Sequence, residues 1–238
     1  MSRYRRGATD LNGVLLLDKP AGMTSHDVVD SLRRLTGEGR IGHAGTLDPA
    51  ATGLLVLCVG PATRAAQELT AADKSYLASI AFGQATDTDD AEGRIIATGP
   101  VPATVADPDF ARQVLAGFTG VIQQLPPQFS AIKQHGVPAY RQARQGQPVE
   151  LTERTVTIYQ LELLAARPDG WDIAADVSKG TYLRALARDI GAAVGCPAHL
   201  AALRRTRVGQ WPVSAAWTLA GLVEQAAAGR LSNCFLEI

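Results

Sequence analysis

Cysteine is scarce in this 238-residue chain: Cys58, Cys196 and Cys234 are odd in number, widely spaced and include no Cys-x-x-Cys pair. That pattern argues against a disulfide framework or a zinc ribbon and leaves reduced thiols as the expectation. Aromatic residues make up only 5% of the chain, and its apolar runs are far shorter than a bilayer-spanning helix needs. A basic start, Met1 to Gly7, is followed by no apolar core of the kind a signal peptide carries, so the cytoplasm is the expected compartment. His26, His43, His135 and His199 show no i, i+4 metal pairing, and neither an HExxH run nor a Walker-type loop occurs. No metal and no cofactor are expected.

Net charge is also lacking, at zero, whereas nucleic-acid-binding proteins often carry an excess of Lys and Arg. The total conceals an asymmetry. From Asp176 to Gln210, six basic residues (Lys179, Arg184, Arg188, Arg204, Arg205, Arg207) stand against two acids, whereas Gln84 to Phe110 holds six acids against Arg94. Such a division permits one basic face on a neutral protein.

What is there is a globular composition, 46% hydrophobic and 19% charged. The length allows one large domain or two smaller ones, and we expect a single catalytic domain over 1–238, with 223–238 a short C-terminal tail. Gly13 to Pro20 reads as a buried strand ending in charge and proline, and Gly53 to Gly60 repeats it. Between them Ser25 to Leu35 carries a helical stripe, Val28, Val29, Leu32 and Leu35, with Thr24 or Ser25 as its cap. A short helix near Arg64 to Leu69 precedes Lys74 to Phe82, where Tyr76, Ala78, Ile80 and Phe82 share one face of a strand.

Gly83 to Gly93 reads as an acidic turn and Arg94 to Thr98 as the returning strand of a hairpin. The acidic run is no calcium loop: Ala91 and Glu92 fall where a ligand and the glycine belong, and Thr98 where the bidentate Glu belongs. Phe110 to Phe118 suggests a helix, Pro138 to Gln145 a polar one, and Arg154 to Ala166 with Trp171 to Val177 a long hairpin. The last main helix is expected over Tyr182 to Val194, capped by Thr181, with the stripe Leu183, Leu186, Ile190 and Val194. Arg184 and Arg188 sit i, i+4 on it, and Asp189 is expected to point elsewhere. A further helix is expected over Thr218 to Ala228. Strands outnumber helices in mixed order, which predicts an α+β fold with a largely antiparallel mixed sheet flanked by helices.

One acid stands out. Gly42-His-Ala-Gly-Thr-Leu-Asp-Pro-Ala-Ala-Thr-Gly53 sets Asp48 in a glycine-flanked loop between the two apolar strands. Pro49 disfavours helical geometry at Asp48, so its carboxylate is expected to project from the chain path.

Together these motifs resemble the TruB-type tRNA pseudouridine-55 synthase family. The resemblance rests on Gly13 to Ser25, Gly42 to Gly53, Asp73-Lys-Ser-Tyr76, Gly83 to Gly93, Pro127 to Lys133, Ser178-Lys-Gly-Thr-Tyr-Leu-Arg184 and His199-Leu-Ala-Ala-Leu-Arg-Arg205, in the family's order, and covers Gly13 to Leu222. It implies the pseudouridine synthase catalytic fold, a tRNA partner gripped at the T arm and T loop, and a monomer. It also implies that Asp48 is the catalytic aspartate, Arg184 its partner, Asp90 the acid holding Arg184, and Tyr76 the aromatic packed on the target base. Tyr182 and Leu203 match uracil-pocket positions, His43 the residue propping the opened T loop, and Lys19 and Pro20 a pair bracing the catalytic loop. Ala44 stands where the family often has threonine. The chain also stops at Ile238 without the further RNA-binding domain of many members, which leads us to expect weaker tRNA binding with the chemistry intact.

The residues fit that chemistry on their own terms. Moving uracil from an N1 to a C5 linkage needs an ionised carboxylate at the ribose, an everted nucleotide and aromatic surfaces for the extruded base. Lys179 to Arg207 would track phosphates. Two other classes compete: an RNA-binding protein without chemistry, and a nucleosidase that releases free uracil.

Overall fold

A computed structural model describes residues 9–129, 133–134, 137–138 and 151–237. In chain order it begins with strand β1 (Gly13–Lys19), helix α1 (Ser25–Thr36), strands β2 (Ile41–His43) and β3 (Thr52–Val59), and helix α2 (Ala66–Thr70). Strands β4 (Lys74–Phe82), β5 (Gln84–Thr86) and β6 (Ile95–Thr98) lead to helix α3 (Pro108–Ala116) and strand β7 (Gly120–Gln124). Two short strands, β8 (Lys133–Gln134) and β9 (Val137–Pro138), come before the long hairpin of β10 (Arg154–Arg167) and β11 (Gly170–Val177). Helix α4 (Leu183–Val194), strands β12 (Ala198–Val208) and β13 (Trp211–Pro212) and helix α5 (Leu219–Ala227) complete it. The expected polar helix from Pro138 to Gln145 lies, beyond Pro138, outside the described residues.

The chain gathers into two compact units, Met1–Tyr76 with Arg204–Ile238, and Leu77–Leu203.

In the first unit β3 is the central strand. It pairs antiparallel with β1 from Gly13↔Val59 to Lys19↔Gly53, while its other edge takes β2 antiparallel and β12 in parallel. Val14 to Leu17 and Leu54 to Val59 are all buried, which is why both strands read as continuous apolar runs rather than alternating ones. Gly53 is required where β3 meets β12: its φ is +100°, and a Cβ there would lie 2.7 Å from the Arg205 backbone nitrogen. Helix α1 buries Val28, Val29 and Leu32, and its cap is Thr24, which forms a reciprocal box with Asp27.

In the second unit β11 lies between β4 and β10, and β10 pairs antiparallel with both β11 and β7. Tyr76, Ala78, Ile80 and Phe82 are buried, as the period-two reading of β4 requires. Trp171 anchors the second unit's core, donating from Nε1 to Val105 O at 2.7 Å with Phe82 edge-on at 4.9 Å. Antiparallel pairing predominates, and the expected α+β class with a mixed sheet is observed.

Some local expectations are corrected. The acidic turn contains a strand of its own, β5, and the returning strand β6 pairs with it in a separate two-stranded ribbon. Thr181 does not cap α4: its hydroxyl donates to Ser178 O, and Tyr182 occupies the cap position without a side-chain bond. Asp189 does not point away from its neighbour: its Oδ1 accepts from Arg188 Nε at 3.0 Å.

Candidate active site

The segment carrying Asp48 is fixed at both flanks. On one side Leu47 is buried, its N–H donating to Ser25 Oγ at 2.9 Å while that hydroxyl donates to Leu47 O at 3.1 Å. On the other, Pro49 O accepts from Gly22 N at 2.9 Å and from Lys19 Nζ at 3.1 Å. A turn closes the middle, Ala51 N donating to Asp48 O at 3.1 Å. Asp48 itself is half-buried, so its carboxyl group hangs between two backbone positions that are fixed.

Lys19 is the keystone of this arrangement. Its side chain is fully buried, and the ammonium also donates to Pro20 O at 2.9 Å and Met23 O at 2.7 Å. Three carbonyls converging on one cation tie the end of β1 to the Asp48 loop, and charge-assisted bonds are the stronger kind. Pro20 lies exposed beside it.

Two further residues that sequence reasoning left without a role at the loop also hold it. Ser25 was read only as a helix cap, and Arg205 only as a surface charge. Arg205 is almost fully buried and donates from Nε to Leu54 O at 2.7 Å and from Nη2 to Gly45 O at 3.1 Å, gripping both ends of the loop. Periodicity gave no signal for it, since burial along β12 falls at Ala198, Leu200, Arg205 and Val208 and does not alternate. His43, on β2, is partly buried, and its Nδ1 has no hydrogen-bond partner among the described residues. Burial, then the charges of Arg205 and His26, hold the imidazole below its ordinary pKa. Tyr76 is buried, as is Lys74 two residues earlier on the same register.

The second unit holds Arg184, Asp90, Tyr182 and Leu203. Arg184 sits in the first turn of α4 and is buried; it donates to Thr88 O at 3.1 Å and Phe129 O at 2.9 Å, and its Nη1 lies 3.4 Å from Asp90 Oδ2. Asp90 is set in turn by Thr88 Oγ1 at 2.6 Å and Glu92 N at 3.0 Å, both donating to its Oδ1. Tyr182 is positioned through its backbone: buried Gln124 accepts from its N–H at 2.9 Å and donates to its carbonyl at 3.2 Å. Leu203 is half-buried on β12.

Five of the six basic residues from Lys179 to Arg207 are hydrogen-bonded within their own units. Arg184 and Arg188 bond acids and carbonyls of their own unit, and Arg204 grips Asp18 with two bonds of 3.0 and 2.7 Å. Arg205 is buried, and Arg207 donates to Ser75 Oγ and Gly209 O. Lys179 alone of the six is exposed. Sequence distance hid most of these acceptors, nine of which lie between 55 and 186 residues away.

Residues 33–183 match the family described as TruB family pseudouridylate synthase (N terminal domain), and residues 184–234 match the tRNA pseudouridylate synthase B C-terminal domain. The tRNA pseudouridine synthase B of Aromatoleum aromaticum is 50% identical over 220 residues, covering 92% of this chain and 70% of its own length. Its counterpart in Chromohalobacter salexigens is 45% identical over 230 residues, covering 97% and 74%. Among solved structures, a chain of a Cbf5-Nop10-Gar1 complex matches at a TM-score of 0.73 and 30% identity, over 95% of this chain and 60% of that one. The present chain thus spans about three-fifths of the length of that solved chain.

Proposed function

Because the chain belongs to the TruB family of pseudouridylate synthases, isomerases that act on tRNA, we propose that it converts uridine 55 in the T loop of tRNA to pseudouridine, with Asp48 acting at the ribose of an everted nucleotide. The observation that carries this reading is the clamped loop: Ser25 fixes Leu47, Lys19 and Gly22 fix Pro49, and Asp48 is held between them. A side chain presented from such a rigid turn loses little freedom on meeting its substrate, which is the condition for efficient attack.

The reaction breaks the bond between C1′ and N1, turns the uracil while it remains bound, and joins C1′ to C5; the C5 hydrogen leaves as a proton and N1 takes one up. Redox change and phosphoryl transfer are both absent from this balance. An ionised carboxylate serves it either as nucleophile at C1′, as in retaining glycosidases, or by assisting loss of the C2′ proton. In this reading Arg184, held by Asp90, is the guanidinium of the catalytic set. Tyr76 and Tyr182 offer rings to the extruded base, Leu203 lines the uracil, His43 enters the opened loop, and Lys19 with Pro20 braces the Asp48 turn. Extrusion costs a few kcal/mol of unstacking, which aromatic contact offsets in part. The T arm is the RNA surface engaged, by a monomer in the cytoplasm.

Unmodified tRNA transcript tritiated at uracil C5 tests this against both rivals. Tritium release without free uracil supports isomerisation; free uracil means a nucleosidase, and neither product means a binder. The variant Asp48→Asn is expected to abolish turnover while tRNA binding persists, and retained turnover refutes the assignment. Arg184→Ala is expected to lower chiefly kcat; an effect confined to affinity removes Arg184 from the catalytic set.

A further inference from the structure

Helix α4 carries a second arginine one turn beyond Arg184, and its bonds run in parallel with the first. Arg188 donates from Nη1 to Asp89 Oδ2 at 2.9 Å and from Nη2 to Leu125 O at 2.8 Å, while Asp189 accepts from its Nε at 3.0 Å. Arg184 reaches Thr88 O, the Asp90 carboxylate and Phe129 O. The two guanidiniums therefore bridge the same pair of segments, the turn at 88–90 and the stretch at 125–129, as successive rungs.

Asp89 itself is the one non-glycine residue with positive φ among the described residues, at +60°. Aspartate and asparagine enter that region more readily than other side chains, and the surroundings then fix the conformation. They do so here: Asp89 N donates to Thr86 O at 3.2 Å, Asp89 O accepts from Leu200 N at 3.0 Å, and the carboxylate meets Arg188. Burial pushes the Asp89 carboxyl up while the guanidinium opposes it, so the pair is a partly desolvated one whose members depend on each other.

We propose that Arg188, acting through Asp89, is a positioning residue for the isomerisation: it locks the 88–90 turn onto α4 and thereby sets the geometry of the Arg184–Asp90 couple. This rests on the reading of Arg184 and Asp90 as members of the catalytic set. Arg188 touches no reacting atom. Asp90 is one peptide unit from Asp89, so rotation of a released Asp89 displaces the Asp90 carboxylate directly, and misplacement of about 1 Å in a catalytic constellation is enough to slow a reaction by about a hundredfold.

The test uses the full chain with Asp89→Asn, Arg188→Met and both together, assayed by tritium release across tRNA concentrations. Asparagine is at ease at positive φ, so Asp89→Asn removes the charge without straining the backbone. Each single variant is expected to lower kcat about tenfold with KM within about twofold, and the double to be no worse than either single, as for one coupled unit. Arg188→Lys, which keeps the charge, is expected to recover part of the loss relative to Arg188→Met. Amide exchange at Glu92, whose N–H donates to Asp90 Oδ1 at 3.0 Å, is expected to accelerate in both single variants whatever their activity.

Unchanged kcat, a change confined to KM, additive losses, or unaltered Glu92 exchange in a wild type that turns over would each overturn the proposal alone. A wild-type chain that releases no tritium refutes the functional reading and removes the proposal with it.

Discussion

Replacing Lys19 with methionine keeps most of its volume and removes only the cation, which makes it the sharpest probe of the loop. The wild-type ammonium serves Pro20 O, Met23 O and Pro49 O from a fully buried position. Pro49 O retains its bond from Gly22 N, so the substitution strips charged donors from two other carbonyls. A buried acceptor left without its partner costs about 1–3 kcal/mol, giving at most about 2–6 for the pair, less what water reaching the exposed Pro20 restores. Relief from burying the charge offsets part of this, so a net loss of about 2–4 kcal/mol is expected. For a chain of this size that lowers Tm by roughly 5–15 °C, and urea unfolding measures it directly. Catalysis should suffer further, because the Pro49 flank of the Asp48 turn loosens while the Ser25 flank holds; a kcat loss on the order of a hundredfold, measured well below Tm, fits a shift of about 1 Å. The exposed Lys179→Met control should stay within about 0.5 kcal/mol of wild type. A Lys19→Met protein with a stability cost below about 0.5 kcal/mol and undiminished kcat refutes the reasoning, since surface substitutions do as much.

Two other consequences are open to simple measurement. His43 is held below its ordinary value of 6.5 by burial first and by Arg205 and His26 next, so the unfolded chain binds more protons in that window. Its contribution to stability is therefore full above about pH 6.5 and declines as pH falls toward the depressed folded value. An NMR titration of the imidazole should show a midpoint below 6.5, moving upward in His26→Gln, and a midpoint at or above 6.5 contradicts the burial argument. Gly53→Ala places a Cβ against the Arg205 backbone at positive φ, where nothing flexible can yield, so a loss of about 3 kcal/mol or more in urea unfolding is expected. A loss under about 1 kcal/mol would show that β12 can retreat from β3.

How much of this was legible depended on whether the determining partner lay close in sequence. The strands Gly13–Lys19 and Lys74–Phe82 and the helix Ser25–Thr36 were readable because periodicity and caps are local properties. Asp48 was readable as the acid of a turn because Pro49 and the surrounding glycines act on adjacent backbone. The Thr181 cap failed at the same range, since its hydroxyl found Ser178 O before the helix could use it. Arg205 was misjudged for the opposite reason. Its acceptors, Leu54 O and Gly45 O, are backbone carbonyls more than 150 residues away, and a carbonyl leaves no mark in a sequence. Arg188 was misjudged in the same way through Leu125 O, and Asp89 at +60° has no signature beyond being an aspartate. Charge counting therefore left out the partners these arginines already have. An arginine whose hydrogen bonds are already spent on its own unit's carbonyls or carboxylates has less to offer another group, and Lys179 is the one exposed cation of the six.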